Sequence, residues 1–478
     1  MGVVKALVKL SALSSNSNLR VCFSKEAPKT SRKLVKLLDC LSLVEAGSRP
    51  KGGIVYIEDE EVAISLGGEQ IGKDGRIDLT NMPVVPLYYY NSTNKGKVRQ
   101  KDILVCKDGA LTGKCCLVNQ TFPINEVMVN EHVYIFRSNE TYLHDFLFYL
   151  FRDEFTQFQI KDLAYRKKGQ PGLNTDHLSL IRLPYFYLSE QKQILNIINR
   201  IEKEINVIEN SKLQPLNIIN QVFGDYFKID LDEVYKLEKA KILPASFSQV
   251  ALYNPALRSG LRWNKMQYIQ SILYSDIDCI QTLGRFIKST KNGWSPLSVE
   301  GGEGIPVLGQ ENYSFDGILK IEPSKFTEEN RNNIEEFYIE KGDFFVSRGN
   351  TVDLVGLASI VNDEIEENII FPDLYIRVEL DETFIDKQYL SYIFNSFIGR
   401  LYFKYVAKGK NQTMVKVSST ELLNFRLPIP EFEEQIEIVE AIKTQLDSQK
   451  EIDRQIEEKQ QTINKIIEDA IRHEQIDA

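Results

Sequence analysis

Histidine is scarce in this chain: only His132, His144, His177 and His473 occur among 478 residues, and they are widely separated. A catalytic or metal-binding set needs such side chains paired, so these four read as surface or packing residues. The six cysteines show no metal-ligand spacing; Cys115 and Cys116 are adjacent, while Cys22, Cys40, Cys106 and Cys279 stand alone. Without a secretory signal they read as free thiols, and the cytoplasm is the expected location. Long apolar runs are missing too. Val3 to Leu13 is short and is interrupted by Lys5 and Lys9, so no membrane association is expected.

Enzyme signatures are equally sparse. No Pro-Pro occurs, and Asn254-Pro255-Ala256-Leu257 is the nearest approach to the motif with which a DNA methyltransferase grips a flipped base. Gly67-Gly68 and Gly301-Gly302 do not open helices, which argues against a dinucleotide loop. No glycine is followed by Lys-Ser or Lys-Thr, so a familiar phosphate-binding motor is excluded. A basic surplus is also absent: the net charge is −9. Residues 429–478 hold 14 acidic and 6 basic residues, a net of −8, so the rest of the chain is nearly neutral. Tight binding of a polyanion by this chain alone is therefore not expected.

What the chain does have is an internal repeat. Ile181-Arg182-Leu183-Pro184 matches Phe425-Arg426-Leu427-Pro428 at an offset of 244, and Glu190-Gln191 matches Glu434-Gln435. Phe146 to Phe151 resembles Tyr389 to Phe394, and Lys101 to Val105 resembles Gly342 to Val346. Leu66-Gly67 with Asp74-Gly75 answers Leu308-Gly309 with Asp316-Gly317 at 242. Collinear matches at nearly constant offset point to a duplicated architecture.

Each half alternates short β-type runs with turn chemistry. Ile103 to Cys106 and Phe344 to Ser347 read as strands, and Asp-Gly at 74–75 and 316–317 as tight turns. Amphipathic helices are expected over Leu143–Phe155 and Lys387–Phe403, and Tyr88, Tyr89 and Tyr90 read as a strand segment. The expected fold class is α+β: two tandem mixed domains with twisted, largely antiparallel sheets, each followed by a long helix. Ile194, Ile198, Ile201, Ile205 and Ile208 form a heptad seam in the first helix, which Pro215 ends or restarts. Ile442, Leu446, Ile456, Ile463 and Ile467 form the seam of the second, and the two helices are expected to pair as an antiparallel coiled coil. The expected boundaries are 1–188 for the first domain, 189–235 for its helix, 236–430 for a connector with the second domain, and 431–478 for the second helix.

These duplicated Leu-Pro and Glu-Gln junctions before heptad helices resemble the specificity subunit of type I restriction–modification systems. The Asp102 and Asp343 strands, with Gly113 and Gly356 after them, look like that family's target-recognition domains. The resemblance implies a non-catalytic subunit in which two domains each read half of a bipartite, asymmetric site on double-stranded DNA. It implies spacer helices that fix the gap, two DNA methyltransferase subunits as partners, and restriction subunits where the complex cleaves. It implies no cofactor in this chain; S-adenosylmethionine, ATP and magnesium belong to the partner subunits. Residues 1–35 and the 236–280 connector depart from the family pattern by their length.

Base edges are read by polar side chains while Lys and Arg position phosphates. Two loop groups in each half supply such residues. One follows the aspartate-initiated strand: Lys107 and Lys114, against Arg348 and Asn350. The other precedes the Leu-Pro junction: Arg166, Lys167, Lys168 and Gln170, against Lys408, Lys410, Asn411 and Gln412. Gln70, Gln310 and Asn312 rank lower, because turn residues often satisfy their own backbone. The competing reading is a coiled-coil scaffold without a nucleic-acid role; a methylation-only specificity subunit is the other alternative. A scaffold leaves unexplained two polar-looped domains that differ in detail on a shared frame.

Overall fold

A computed structural model of the chain describes residues 28–50, 61–72, 74–78, 82–119, 122, 125–165, 171–240, 261–411 and 414–472. The chain forms two compact units, residues 1–210 with 454–478, and residues 211–453.

The first unit is built on β2 (Leu41–Ala46), β5 (Ile103–Cys106), β6 (Cys115–Leu117) and β8 (Val133–Ser138), ordered β2-β8-β5-β6 in an antiparallel sheet. All four residues of β5 are buried, as expected for an apolar central strand covered on both faces. Smaller sheets join β1 (Leu34–Lys36) to β9 (Arg182–Pro184), and β4 (Val84–Pro86) to β3 (Val62–Leu66) and β7 (Val127–Val129), the β3–β7 pair being parallel.

The second unit repeats this plan. Its main sheet is β11 (Ile287–Asn292), β18 (Tyr375–Leu380), β15 (Phe344–Ser347) and β17 (Ala358–Ile360), ordered β11-β18-β15-β17. β10 (Ile280–Thr282) pairs with β21 (Arg426–Pro428) as β1 does with β9. Its β13 (Ile305–Val307) pairs with β14 (Lys325–Thr327) as β3 does with β4, and β12 (Val299–Glu300) joins the other edge of β14. A further sheet comprises β16 (Gly349–Asn350), β20 (Met414–Lys416) and β19 (Lys408–Asn411).

The repeated residues do the same work twice. Asp102 accepts from Arg99 N at 2.8 Å and pairs with Arg137; Asp343 accepts from Glu340 N at 2.8 Å and pairs with Arg377. Both aspartates therefore close the turn that launches the central strand and anchor it to the neighbouring strand. Gly75 and Gly317 have φ of +84° and +75°, a region that favours glycine, and Asp74 and Asp316 accept from the amides two residues on.

Two local expectations are corrected. The helical segment expected over Leu143–Phe155 is broken into α2 (His144–Arg152) and α3 (Glu154–Ala164); Lys387–Phe403 likewise divides into α9 (Lys387–Asn395) and α10 (Phe397–Val406). Asp153 and Ser396 hold extended backbone at the breaks, and their side chains accept from Phe155 N and Ile398 N. Each is an N-cap, so a new helix starts where the apolar periodicity alone suggests continuation. Tyr88, Tyr89 and Tyr90 lie in a short helix, α1 (Leu87–Ser92), rather than a strand; Tyr88 is exposed and Tyr89 donates to Ser48.

The long helices are α5 (Leu188–Asn210) and α12 (Phe432–Arg472), and Pro215 opens a separate helix, α6 (Pro215–Phe227), at its first turn. In the first unit, Ile194, Ile198 and Ile205 share a buried core with Ile463, Ile466 and Ile467, with Ile201 and Ile456 packed against it. Arg32 bridges Glu190 and the Ala470 carbonyl, while Lys459 pairs with Glu204 at 2.5 Å, so these runs are antiparallel. Ile208 is half-buried. Ile442 and Leu446 belong elsewhere. They belong to the second unit's core, which also holds Ile218, Ile219 and Phe223 of α6, whereas the α5 seam packs in the first unit with the second half of α12. An isoleucine seam specifies a face to bury, and the second unit's core supplies the cover that the seam from Ile194 to Ile208 does not.

Glu-Gln at the junctions has a physical task. Glu190 and Glu434 accept from the backbone N–H of Tyr187 and Glu431, capping the long helices. Gln191 and Gln435 are fully buried. Gln191 accepts from Leu143 N and donates to the Thr141 and Phe186 carbonyls; Gln435 accepts from Asp386 N and donates to the Phe384 and Pro430 carbonyls. Each glutamine ties a helix start to the segment entering the preceding helical pair.

Candidate nucleic-acid interface

In each unit the end of the central strand is held by the same set of backbone hydrogen bonds. Lys107 N donates to His132 O at 2.8 Å, and Leu173 N to Lys107 O at 2.7 Å. Arg348 N donates to Leu374 O at 2.7 Å, and Val417 N to Arg348 O at 2.8 Å. The residue after β5 or β15 therefore lies between the start of the adjacent strand and the segment before the Leu-Pro junction. Pro171 to Leu173, and Val417 in the second unit, thus reach this strand end from the segment that follows each basic loop.

In the first unit this end carries a polar cluster. Lys107 Nζ donates to Glu131 O at 2.9 Å and stands 5.5 Å from the Tyr134 ring centre. Arg49 pairs with the Glu131 carboxylate and lies 2.8 Å from His132 Nε2, while His132 Nδ1 is 2.6 Å from Asp108. With a guanidinium beside Nε2, the neutral ring carries its proton on Nδ1 and donates to Asp108. The Glu131 hydrogen bond raises the Arg49 guanidinium pKa. Burial pulls Glu131 upward, but the Arg49 hydrogen bond and charge outweigh it and hold the carboxyl below its usual range. Asp108 also bridges to Gly172, just after the basic loop.

The second unit fills the same frame differently. Arg348 Nη1 donates to Asp373 O at 3.1 Å and lies 3.5 Å from its carboxylate, which also receives the Ser295 hydroxyl. Gln310 accepts from Ser347 Oγ at 2.7 Å and Asn350 Nδ2 at 2.9 Å, and donates to Leu374 O. Asn350 is opposite Val415 in the β16–β20 pair. Lys408 is directly opposite Lys416 in the ribbon, both are exposed, and Lys408 pairs with Glu421 at 2.7 Å. Like charges facing each other across a ribbon are unfavourable unless an anion joins them.

The candidate residues thus separate. Lys107, Arg348, Asn350 and Lys408 come together at the strand-end faces of their own units. Lys114 is half-buried and immediately precedes β6; its carbonyl receives Cys106 N as the Leu357 carbonyl receives Ser347 N, so Lys114 matches Leu357 and not Asn350. The backbone of Lys410 and Asn411 belongs to β19, and their side chains are not among those described; Arg166, Lys167, Lys168, Gln170 and Gln412 lie outside the described residues. Gln70 and Asn312 are buried and receive the N–H of Gly67 and Gly309, the local role expected of turn residues. Arg49, Asp108, Glu131, His132, Ser295, Asp373 and Lys416 were not legible as site residues. Chain pairing brings most of them in from distant segments, and Lys416 shows itself only through its register opposite Lys408.

Comparison with known proteins follows the same duplication. The type I restriction modification DNA specificity domain family matches residues 69–217 and 282–471. Among solved structures, the chain is similar to one described as the structural basis of complex assembly and conformational transition of the type I R-M system. That match has 15% identity, covers 94% of this chain and 100% of the other, and has a TM-score of 0.44. It is similar to the HsdS subunit from Thermoanaerobacter tengcongensis, at 15% identity, 93% and 97% coverage and TM-score 0.32. It is also similar to the type I S subunit from M. genitalium, at 11% identity, 93% and 99% coverage and TM-score 0.37. No curated protein matches. Matched in both halves and over most of its length, the chain belongs to the type I restriction modification DNA specificity family, as a non-catalytic subunit that recognises DNA.

Proposed function

We propose that each unit reads one half of a bipartite, asymmetric DNA site through the face at the end of its central strand. The observation that carries this reading is the pair of matched strand ends. Lys107 and Arg348 sit in the same backbone setting, yet their neighbours are Asp108 and His132 in one unit and Gln310 and Asn350 in the other. A shared frame with different donors and acceptors is what two different half-sites require. Two DNA methyltransferase subunits supply the chemistry, restriction subunits join where the complex cleaves, and S-adenosylmethionine, ATP and magnesium belong to those partners. The long helices set the gap between half-sites. The acidic C-terminal segment, with net charge −8 over residues 429–478, suits contact with protein rather than DNA.

The test is methylation mapping by single-molecule sequencing in cells that carry this chain and its methylating partner. Lys107→Ala is expected to relax or abolish one half of the methylated motif, and Arg348→Ala with Asn350→Ala the other half. Removal of one heptad between Ile194 and Ile208 is expected to change the gap alone. Variants that alter both halves equally, or neither, would refute the assignment of one half-site to each unit.

A further inference from the structure

The two strand ends share a feature that cationic contact with DNA does not call for: an acid beside the cation, at the same place in both units. Gly47 N donates to Val133 O and Gly293 N to Tyr375 O, which sets Arg49 against Ser295. The amides of Lys107 and Arg348 bond to His132 and Leu374, which sets Glu131 against Asp373. Lys107 Nζ and Arg348 Nη1 then reach the matched backbone carbonyls, Glu131 O at 2.9 Å and Asp373 O at 3.1 Å. The carboxylates are held by different groups. Glu131 is held by Arg49, and Asp373 by Ser295 through Oδ1 and by Arg348 at 3.5 Å from Oδ2. Their side chains stay partly open, at 39% and 42% exposure.

The main-chain frame of each strand end does not depend on these carboxylates. The strand pairing and the hydrogen bonds of Lys107 Nζ and Arg348 Nη1 run through backbone carbonyls, which an amide side chain would leave untouched; the carboxylates add the ion pairs to Arg49 and Arg348. Glu131 Oε2 is buried without a side-chain partner among the described residues. Within a face that meets DNA, a carboxylate repels every phosphate, whatever the sequence, and competes with phosphate for Lys107, Arg49 or Arg348. Only a duplex that also offers matching base edges compensates for that competition.

We infer that Glu131 and Asp373 are specificity-determining residues that weaken binding to unmatched DNA more than binding to the recognised site. The inference rests on the strand-end face being the DNA interface. Glu131→Gln and Asp373→Asn keep the shape and remove the charge.

The experiment uses the chain assembled with its methylating subunits. Competition binding is measured on a duplex carrying the methylated motif and on one with both half-sites scrambled, over a range of salt. Each substitution is expected to tighten binding to the scrambled duplex about three- to tenfold while changing the matched duplex less than about twofold. The salt dependence on scrambled DNA should steepen, as more cations become free for phosphate. Equal tightening on both duplexes, no change, or equal weakening with a lower melting temperature would overturn the inference. Lys107→Ala and Arg348→Ala serve as controls. If they leave both affinities unchanged, the interface itself is misplaced; if they weaken matched binding while the acid variants are silent, only the role of the acids fails.

Discussion

Asp102 and Asp343 open the same strand in the two units, but they are secured differently. Asp102 is fully buried, and Arg137 meets both its oxygens at 2.7 Å. Asp343 retains 15% exposure and meets Arg377 Nη2 at 2.8 Å. Arg377 also donates to the Tyr338 carbonyl and stacks 4.4 Å from the Phe371 ring centre. One frame thus admits a two-pronged ion pair in the first unit and a divided arginine in the second. The duplication preserves where the strand is tied and lets the tie vary.

The sharpest way to break this comparison is to remove each acid. Asp102→Ala leaves a partly buried arginine without its partner and should destabilise the first unit by about 3–5 kcal/mol. Asp343→Ala should cost less, about 1–3 kcal/mol, because Arg377 keeps its carbonyl and its ring. Native-state hydrogen exchange at β5 and β15 measures the two units separately, which a single melting curve would not. An equal loss in both would show that the second contact is as strong as the first.

A smaller effect separates the helix breaks. Asp153 caps α3 and is pushed up to about 6 by burial, with Glu468 adding to the shift; Ser396 caps α10 with a neutral hydroxyl. A carboxyl whose pKa is raised on folding binds its proton more tightly in the folded state. The stabilisation is complete below about 3.8 and is lost as pH rises through about 6. The first unit should therefore weaken by about 1–3 kcal/mol across that window through this residue. Asp153→Ser, which copies the second unit, should flatten that part of the profile, read by exchange of α3 amides from pH 4 to 7. A slope that persists would assign it to another group.

Much of this was legible because the duplication repeats residues whose tasks are local. The turn glycines, the strand-opening aspartates and the Glu-Gln pair all act within a few residues of themselves or on an adjacent element. The helix breaks were hidden because Asp153 and Ser396 interrupt no apolar spacing; their signal is a capping residue inside an amphipathic run. The partners of Ile442 and Leu446 were hidden because a seam encodes burial without naming what covers it. The acids at 131 and 373 became visible only once strand register placed them beside Lys107 and Arg348.

The smallest expected effect is the most exact test of a shared frame. Tyr142 donates to the Pro184 carbonyl at 2.7 Å, and Tyr389 to the Pro428 carbonyl at 3.0 Å. These carbonyls are equivalent, but the tyrosines are not. The Gln191 and Gln435 contacts align Leu143 with Asp386, so Tyr142 matches Ile385 and Phe146 matches Tyr389. Each unit sends a hydroxyl to the same buried acceptor from a different turn of chain. Tyr142→Phe should cost about 1 kcal/mol by leaving the carbonyl short of its donor. Adding Phe146→Tyr, which moves the hydroxyl to the second unit's position, should restore most of that loss, since both sites are buried in aromatic packing. The first unit's stability in urea, followed by exchange at β9, reads both steps. If the second substitution deepens the loss instead, the backbones around the Leu-Pro junctions differ by more than their matched hydrogen bonds imply.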